Sequence, residues 1–179
     1  MSELHCRKKN RLGNYDYSRN GAYFVTICTK DRQYLFWDNT VKYNKPDPVG
    51  ANFVSPLNSI ELSEYGNFVK NEIEKILFIY NDVIIINKYV IMPNHIHMIV
   101  IIDNLCEGSS LSDGRTQFAP TVSRLIKQFK GSITKQIGFP IWQKSFHDRI
   151  IRNEKEYSAL WNYIEYNPVN WENDSLFTK

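Results

Sequence analysis

Residues 83–102 read VIIINKYVIMPNHIHMIVII. Two apolar, β-branched runs flank Pro93-Asn94, a dipeptide suited to a tight turn. The stretch predicts a hairpin with one strand over residues 83–92 and a second over 95–102. Side chains alternate along a strand, so Ile96, Met98, Val100 and Ile102 share one face and His95, His97, Ile99 and Ile101 the other. The wholly apolar face is the core side. The two imidazoles are left together on the opposite face, with Cβ atoms ~7 Å apart. That separation lets both reach one ion through metal–nitrogen bonds of about 2 Å. A histidine pair at the start of a strand is also readable as purely structural. Two ligands are too few for a catalytic ion, which needs a third protein ligand and open positions for substrate.

Working outward, "YFVTIC" at residues 23–28 reads as a strand. Leu62, Tyr65, Val69, Ile73, Ile76, Leu77 and Tyr80 fall on one stripe of a helix over residues 61–80. Val122, Leu125, Ile126, Phe129, Ile133 and Ile137 form a second stripe over residues 121–137, with Arg124, Lys127 and Lys130 facing away. Residues 142–151 hold a short strand. A last helix begins at Asn153, a favourable N-cap with Glu156 three residues on. It stops near Asn167, because Pro168 disfavours helical geometry before it. The order strand, helix, strand, strand, helix, strand, helix predicts an α+β fold. Its core is a ferredoxin-like split βαβ unit with an antiparallel sheet, and an extra C-terminal helix follows. Proline- and asparagine-rich residues 38–58 read as a loop insertion, and the Gly, Ser and Asp-rich residues 103–120 as a mobile loop, within one domain spanning 1–179.

The net charge of +3 decides little, but its distribution is informative. Between residues 115 and 152 lie Arg115, Arg124, Lys127, Lys130, Lys135, Lys144, Arg149 and Arg152 against one acid, Asp148, and Arg7, Lys8, Lys9 and Arg11 cluster at the N-terminus. Such segments suit a polyanionic partner, or simply solvated helix faces. Cys6, Cys28 and Cys106 are scattered and without CxxC spacing, which predicts free thiols in a reducing compartment. No apolar run reaches the ~18 residues needed to span a bilayer, and no signal peptide is visible, so a cytoplasmic protein is expected. GxxxxGK[ST], GxGxxG and GxSxG are all absent, which removes the common nucleotide-binding loops and the serine-hydrolase elbow.

In the last helix Tyr157, Leu160, Trp161 and Ile164 form the apolar stripe. Tyr163 and Asn167 lie off it, four residues apart and therefore neighbours on one edge. A nucleophilic oxygen beside a ligand oxygen is one reading. The other is an ordinary packing aromatic in a chain with 11 tyrosines.

"NGAYFVTICTKDR", "VIMPNHIHMIV" and "IWQKSFHDRIIRNEKEYSALWNYIEYNPVN", in this order, resemble the IS200-like tyrosine transposases, and more closely the REP-associated branch of these HUH single-strand endonucleases. The segments cover most of the chain outside residues 38–58 and 103–120. The resemblance implies that His95 and His97 bind a divalent ion, Mg²⁺ or Mn²⁺. It maps the catalytic tyrosine onto Tyr163 and a metal-binding amide onto Asn167, where insertion-sequence relatives often carry glutamine. It also implies a metal-dependent enzyme that cleaves and rejoins single-stranded DNA near hairpins through a 5′-phosphotyrosine intermediate, hence DNA transposition and recombination. Arg124, Lys127, Lys130, Arg149 and Arg152 become candidates for the DNA backbone, and Trp142 and Phe146 for base stacking. His147 becomes a candidate for proton transfer. Dimer and monomer both remain open. Two alternatives predict different outcomes: a hydrolase with His147 as third ligand and water as nucleophile, and a domesticated, catalytically silent hairpin binder.

Overall fold

The computed structural model describes residues 20–38, 60–80, 83–103 and 121–178. Apart from Asp38 and Asp103, the insertion and mobile loop read from the sequence lie outside them, as do Cys6, Cys106, Arg115 and the N-terminal basic cluster. Strand β1 (Gly21–Cys28) is followed by helix α1 (Glu64–Ile79), strands β2 (Ile84–Met92) and β3 (His95–Ile102), helix α2 (Val122–Ile137), strand β4 (His147–Ile151) and helix α3 (Glu154–Tyr166). The strands form one antiparallel sheet in the order β2-β3-β1-β4. This is the α+β arrangement expected from the sequence. Among the described residues no helix is long and apolar enough to cross a membrane.

Both faces of the sheet are covered. Ile96, Met98, Val100 and Ile102 of β3 join Tyr23, Val25 and Ile27 of β1 in the larger core, under Val69 and Ile73 of α1 and the Val122, Leu125, Ile126, Phe129 and Ile133 stripe of α2. On the other face Ile99, Val90 and Met92 meet Ile164 of α3 and Trp171, in a short 3₁₀ turn beyond it. The alternation read from the sequence therefore holds. Trp142 belongs to the larger core, tilted against Phe36 and Phe129 with its indole N–H on the Lys130 carbonyl at 3.2 Å, and Phe146 packs on its margin. Core packing thus accounts for Trp142 without a base to stack on. Cys28 is a buried free thiol.

Helix ends follow local chemistry. Thr121 accepts from the Arg124 amide and Asn153 from the Glu156 amide, each capping the first turn. Gly138 closes α2 at φ 88°, a left-handed conformation glycine adopts without penalty. Ser63 caps α1 by accepting from Gly66 N at 3.1 Å. A Cβ at Gly66 would lie 2.2 Å from the Phe36 carbonyl oxygen, a backbone atom with little freedom to retreat. Gly66→Ala is expected to destabilise the fold by roughly 1–3 kcal/mol through overpacking, despite alanine's better helix propensity. Urea unfolding checks this, and a neutral or stabilising result would show that the α1–Phe36 contact yields easily.

Candidate functional site

His97 sits in the middle of the sheet, across from Thr26 on β1 and Val90 on β2, while His95 faces Cys28 and Met92. Both rings are almost fully buried beneath α3 and the segment that follows it. Their centroids are 4.5 Å apart. A hydrogen-bond partner holds one nitrogen of each ring. Asn94 donates from Nδ2 to the Leu176 carbonyl at 2.9 Å and weakly to that of Arg32 at 3.4 Å. Its Oδ1 is therefore turned to His95 Nδ1, at 2.8 Å. That contact assigns the proton to Nδ1 and leaves the lone pair on Nε2. His95 Nε2 is buried and has no hydrogen-bond partner. His97 Nδ1 meets the Thr26 hydroxyl at 2.8 Å, so its Nε2 points into the same space. Carbonyl or hydroxyl support on the far nitrogen is the arrangement that orients histidine ligands toward a metal.

The remaining groups come from the end of the chain. Tyr163 Oη donates to Asp174 Oδ2 at 2.9 Å and lies 3.3 Å from His97 Nε2. Asn167 Nδ2 donates to the same carboxylate oxygen at 2.8 Å, and Asn167 Oδ1 is buried without a partner. The Leu176 amide donates to Asp174 Oδ1 at 2.7 Å. Phe24 stacks on His97 at 5.1 Å and meets Tyr163 edge-on at 6.0 Å. Tyr163 remains 41% exposed, so its hydroxyl is anchored inside the site while the ring edge faces solvent.

Ligand atoms of His95, His97 and Asp174 all lie within 4.8 Å of one another. Opposite ligands of an ion with bonds of about 2.1 Å stand ~4.2 Å apart, so the group is nearly closed around such a volume. Two buried acceptors without donors, His95 Nε2 and Asn167 Oδ1, fit a cation rather than another hydrogen bond. The set is mixed nitrogen and oxygen, suited to a divalent ion. Asp174 carried no signal in the sequence: it is one acid in an unpatterned tail.

Burial lowers His95 to a pKa of about 2, with help from the charges of His97 and Arg32. Burial also lowers His97, to about 4, partly opposed by Asp174. Both rings are thus neutral at pH 7. Tyr163 is pushed up, first by burial and then by its hydrogen bond to Asp174 and that residue's charge, so the phenol keeps its proton. A sign follows for stability. The unfolded chain protonates these histidines near pH 6.5 and the folded chain does not. Their contribution is complete above pH 6.5 and is lost as pH falls toward 4 for His97 and 2 for His95. Metal-free protein is expected to lose about 1.4 kcal/mol per pH unit per histidine below pH 6.5. Urea melts at pH 7 and pH 5 check this, and equal midpoints would contradict it.

The other residues singled out in the sequence are more dispersed. His147 and Arg149 pair across β1 with Thr26 and Phe24, so they share the histidines' face of the sheet but sit exposed at its edge. His147 is not among the three clustered ligand groups. Arg149 is ion-paired with Glu156, whose side chain also accepts from the Arg152 amide. Arg124 and Lys127 are exposed on α2, in the layer on the far side of the sheet from the histidines. Lys130, on the same helix, donates to the Gln143 and Ser145 carbonyls and so ties α2 to the segment before β4.

No protein-family model matches the chain. A Haemophilus influenzae protein bearing only the name "Uncharacterized protein" is 31% identical over 187 residues, which cover 97% of this chain and 94% of the relative. A second from the same organism, "Putative REP-associated tyrosine transposase", is 24% identical over 162 residues, 88% of this chain and 77% of its own. A solved structure of a REP-associated tyrosine transposase bound to a REP hairpin shares the fold with a TM-score of 0.57 at 21% identity, over 90% of this chain and 74% of that one. The chain is related to the first of these proteins over nearly its whole length, and it is similar in sequence to a putative REP-associated tyrosine transposase and in fold to a solved one.

Proposed function

We propose that this protein cleaves and rejoins single-stranded DNA beside a hairpin, with Tyr163 as nucleophile. The observation that carries the reading is the position of Tyr163 Oη, 3.3 Å from His97 Nε2 on a ring that is still 41% exposed. A divalent ion, Mg²⁺ or Mn²⁺, would be held by His95 and His97 together with Asp174 and Asn167, and when bound it supplies positive charge that polarises the scissile phosphate. Tyr163 Oη forms a bond to phosphorus while the bond to the 3′-oxygen breaks, leaving the 5′-phosphate on the protein. The phenol's proton passes along its existing hydrogen bond to Asp174 Oδ2 and on to the departing 3′-oxygen, which leaves as a hydroxyl. Rejoining is the reverse: a 3′-hydroxyl attacks phosphorus and the phenolate leaves. A phenolate leaves more readily than an alkoxide, which suits tyrosine to reversible chemistry. The energy stays in the phosphodiester, so no nucleotide is required.

His147 and Arg149, on the site's face at the β4 edge, would meet the strand entering the site, with Arg152 following. Arg124 and Lys127 lie on the opposite layer and would contact a different stretch of the DNA, such as the hairpin stem. The hairpin in the related solved structure supports this partner class. The water-using hydrolase loses its proposed third ligand, because Asp174 and not His147 stands with the two histidines. The test is incubation with single-stranded DNA carrying flanking palindromes and Mn²⁺, followed by denaturing electrophoresis and peptide mapping. A DNA adduct at Tyr163 is expected; cleavage with no adduct, or with an adduct elsewhere, sinks the reading.

A further inference from the structure

Strand β2 contains a bulge. Ile86 faces Val100 and Lys88 faces Ile99, so Asn87 is an extra residue with no counterpart on β3. The consequence is a change of face. Ile84 and Ile86 point into the larger core, whereas Lys88, Val90 and Met92 point to the α3 side. In a regular strand all five would share one face, and the Lys88 ammonium would be driven among isoleucines. The bulge instead delivers Lys88 to α3. Its Nζ is ion-paired with Glu165 and stands 4.8 Å from the centroid of the Trp161 ring. Asn87 itself donates to Tyr157 Oη, also on α3. Re-aiming a side chain beside a functional site is a recurrent use of bulges.

Helix α3 packs on the sheet through an apolar stripe of Tyr157, Leu160, Trp161 and Ile164. Ile164 is its one fully buried side chain among the described residues. Tyr163 and Glu165 flank Ile164 and so project to opposite sides of it, Tyr163 over Phe24 and His97, Glu165 over the β2 edge. Apolar contacts are non-directional and leave the helix a small roll, which oriented ion pairs restrict, Arg149 with Glu156 at its start and Lys88 with Glu165 near its end. A short, oriented ion pair on one flank determines where the other flank sits.

We propose that Lys88 is a positioning residue: through Glu165 and Trp161 it sets the roll of α3 and thereby holds Tyr163 Oη against His97. The inference rests on the strand-cleavage reading for its consequence but not for its geometry. In single-turnover reactions at saturating DNA, Lys88→Met is expected to slow formation of the Tyr163 adduct by about 10- to 100-fold. Hairpin Kd and the Mn²⁺ concentration for half-activity should stay unchanged. Removing one partner strands a half-buried charge, so K88M/E165Q is the cleaner variant. It should be as slow as either single change, with thermal stability near wild type. Lys88→Arg keeps both the ion pair and the ring contact and should restore the rate. A readout without DNA is amide hydrogen exchange, which should rise in α3 and not in β1 or β3 for K88M/E165Q.

Unchanged adduct rates and unchanged α3 exchange in K88M/E165Q would overturn the proposal. A hairpin Kd that weakens in step with the rate would overturn it too, by making Lys88 a DNA contact. If wild-type protein forms no adduct, the strand-cleavage reading fails, and hydrogen exchange still decides whether the clasp holds α3.

Discussion

Tyr163→Phe is expected to eliminate the covalent protein–DNA adduct and to reduce strand cleavage by at least about 10³-fold, the scale on which removing a nucleophile acts. The substitution isolates chemistry from structure unusually well. The ring contacts with Phe24 and His97 survive, and only the hydroxyl is lost. Asp174 Oδ2 still accepts from Asn167 Nδ2, so no buried carboxylate oxygen is stranded. At a partly exposed residue the cost to folding should be within about 1 kcal/mol. Thermal melting alongside a denaturing gel separates the two effects. Cleavage by the phenylalanine variant near the wild-type rate would assign the attack to water and remove Tyr163 from the mechanism.

The second large effect concerns the ion. His95→Ala removes the one imidazole nitrogen among the described residues that is both buried and without a hydrogen-bond partner. Residues that merely support metal ligands account for 10–100-fold in affinity, so losing a ligand should weaken Mn²⁺ binding by on the order of 100-fold or more. Binding also reports through stability. Mn²⁺ at 100 times its Kd should add about 2.7 kcal/mol to the wild-type protein and essentially nothing to His95→Ala at the same concentration. Cleavage by the wild-type protein should stop in excess chelator and return with Mn²⁺. A melting temperature indifferent to Mn²⁺ and Mg²⁺, or nicking that persists in chelator, would dismantle the metal site. An equal Mn²⁺ response in Asp174→Asn would remove Asp174 from the ligand set while leaving the histidines in it.

Much of the scaffold was legible because it depends on neighbours in sequence. The two-residue turn at Pro93-Asn94 joins Met92 to His95 as the hairpin pattern requires. The apolar stripe of α2 is buried from Val122 to Ile133 with Ile137 partly buried at its end, and Asn153 caps α3 with Glu156 in place. Tyr163 and Asn167, one helical turn apart, both reach Asp174. The cations of α2 illustrate the limit. Periodicity shows that Arg124 and Lys127 face away from the core, but not which layer of the sheet that core belongs to, and α2 lies opposite the histidines.

Local and periodic features can be read along the chain: strands with a two-residue repeat, helices with their caps, and a histidine pair confined to one face of β3. The closing of the site depends on packing between distant segments. Asp174 reaches His97 because the chain turns after Pro168 and seats Trp171 beside His95. Asn94 selects the His95 lone pair through carbonyls at Arg32 and Leu176, 62 and 82 residues away in the chain. The Asn87 bulge exists only relative to the register of β3. Each depends on contacts between segments distant in the chain, and such contacts leave no periodic mark on either segment alone.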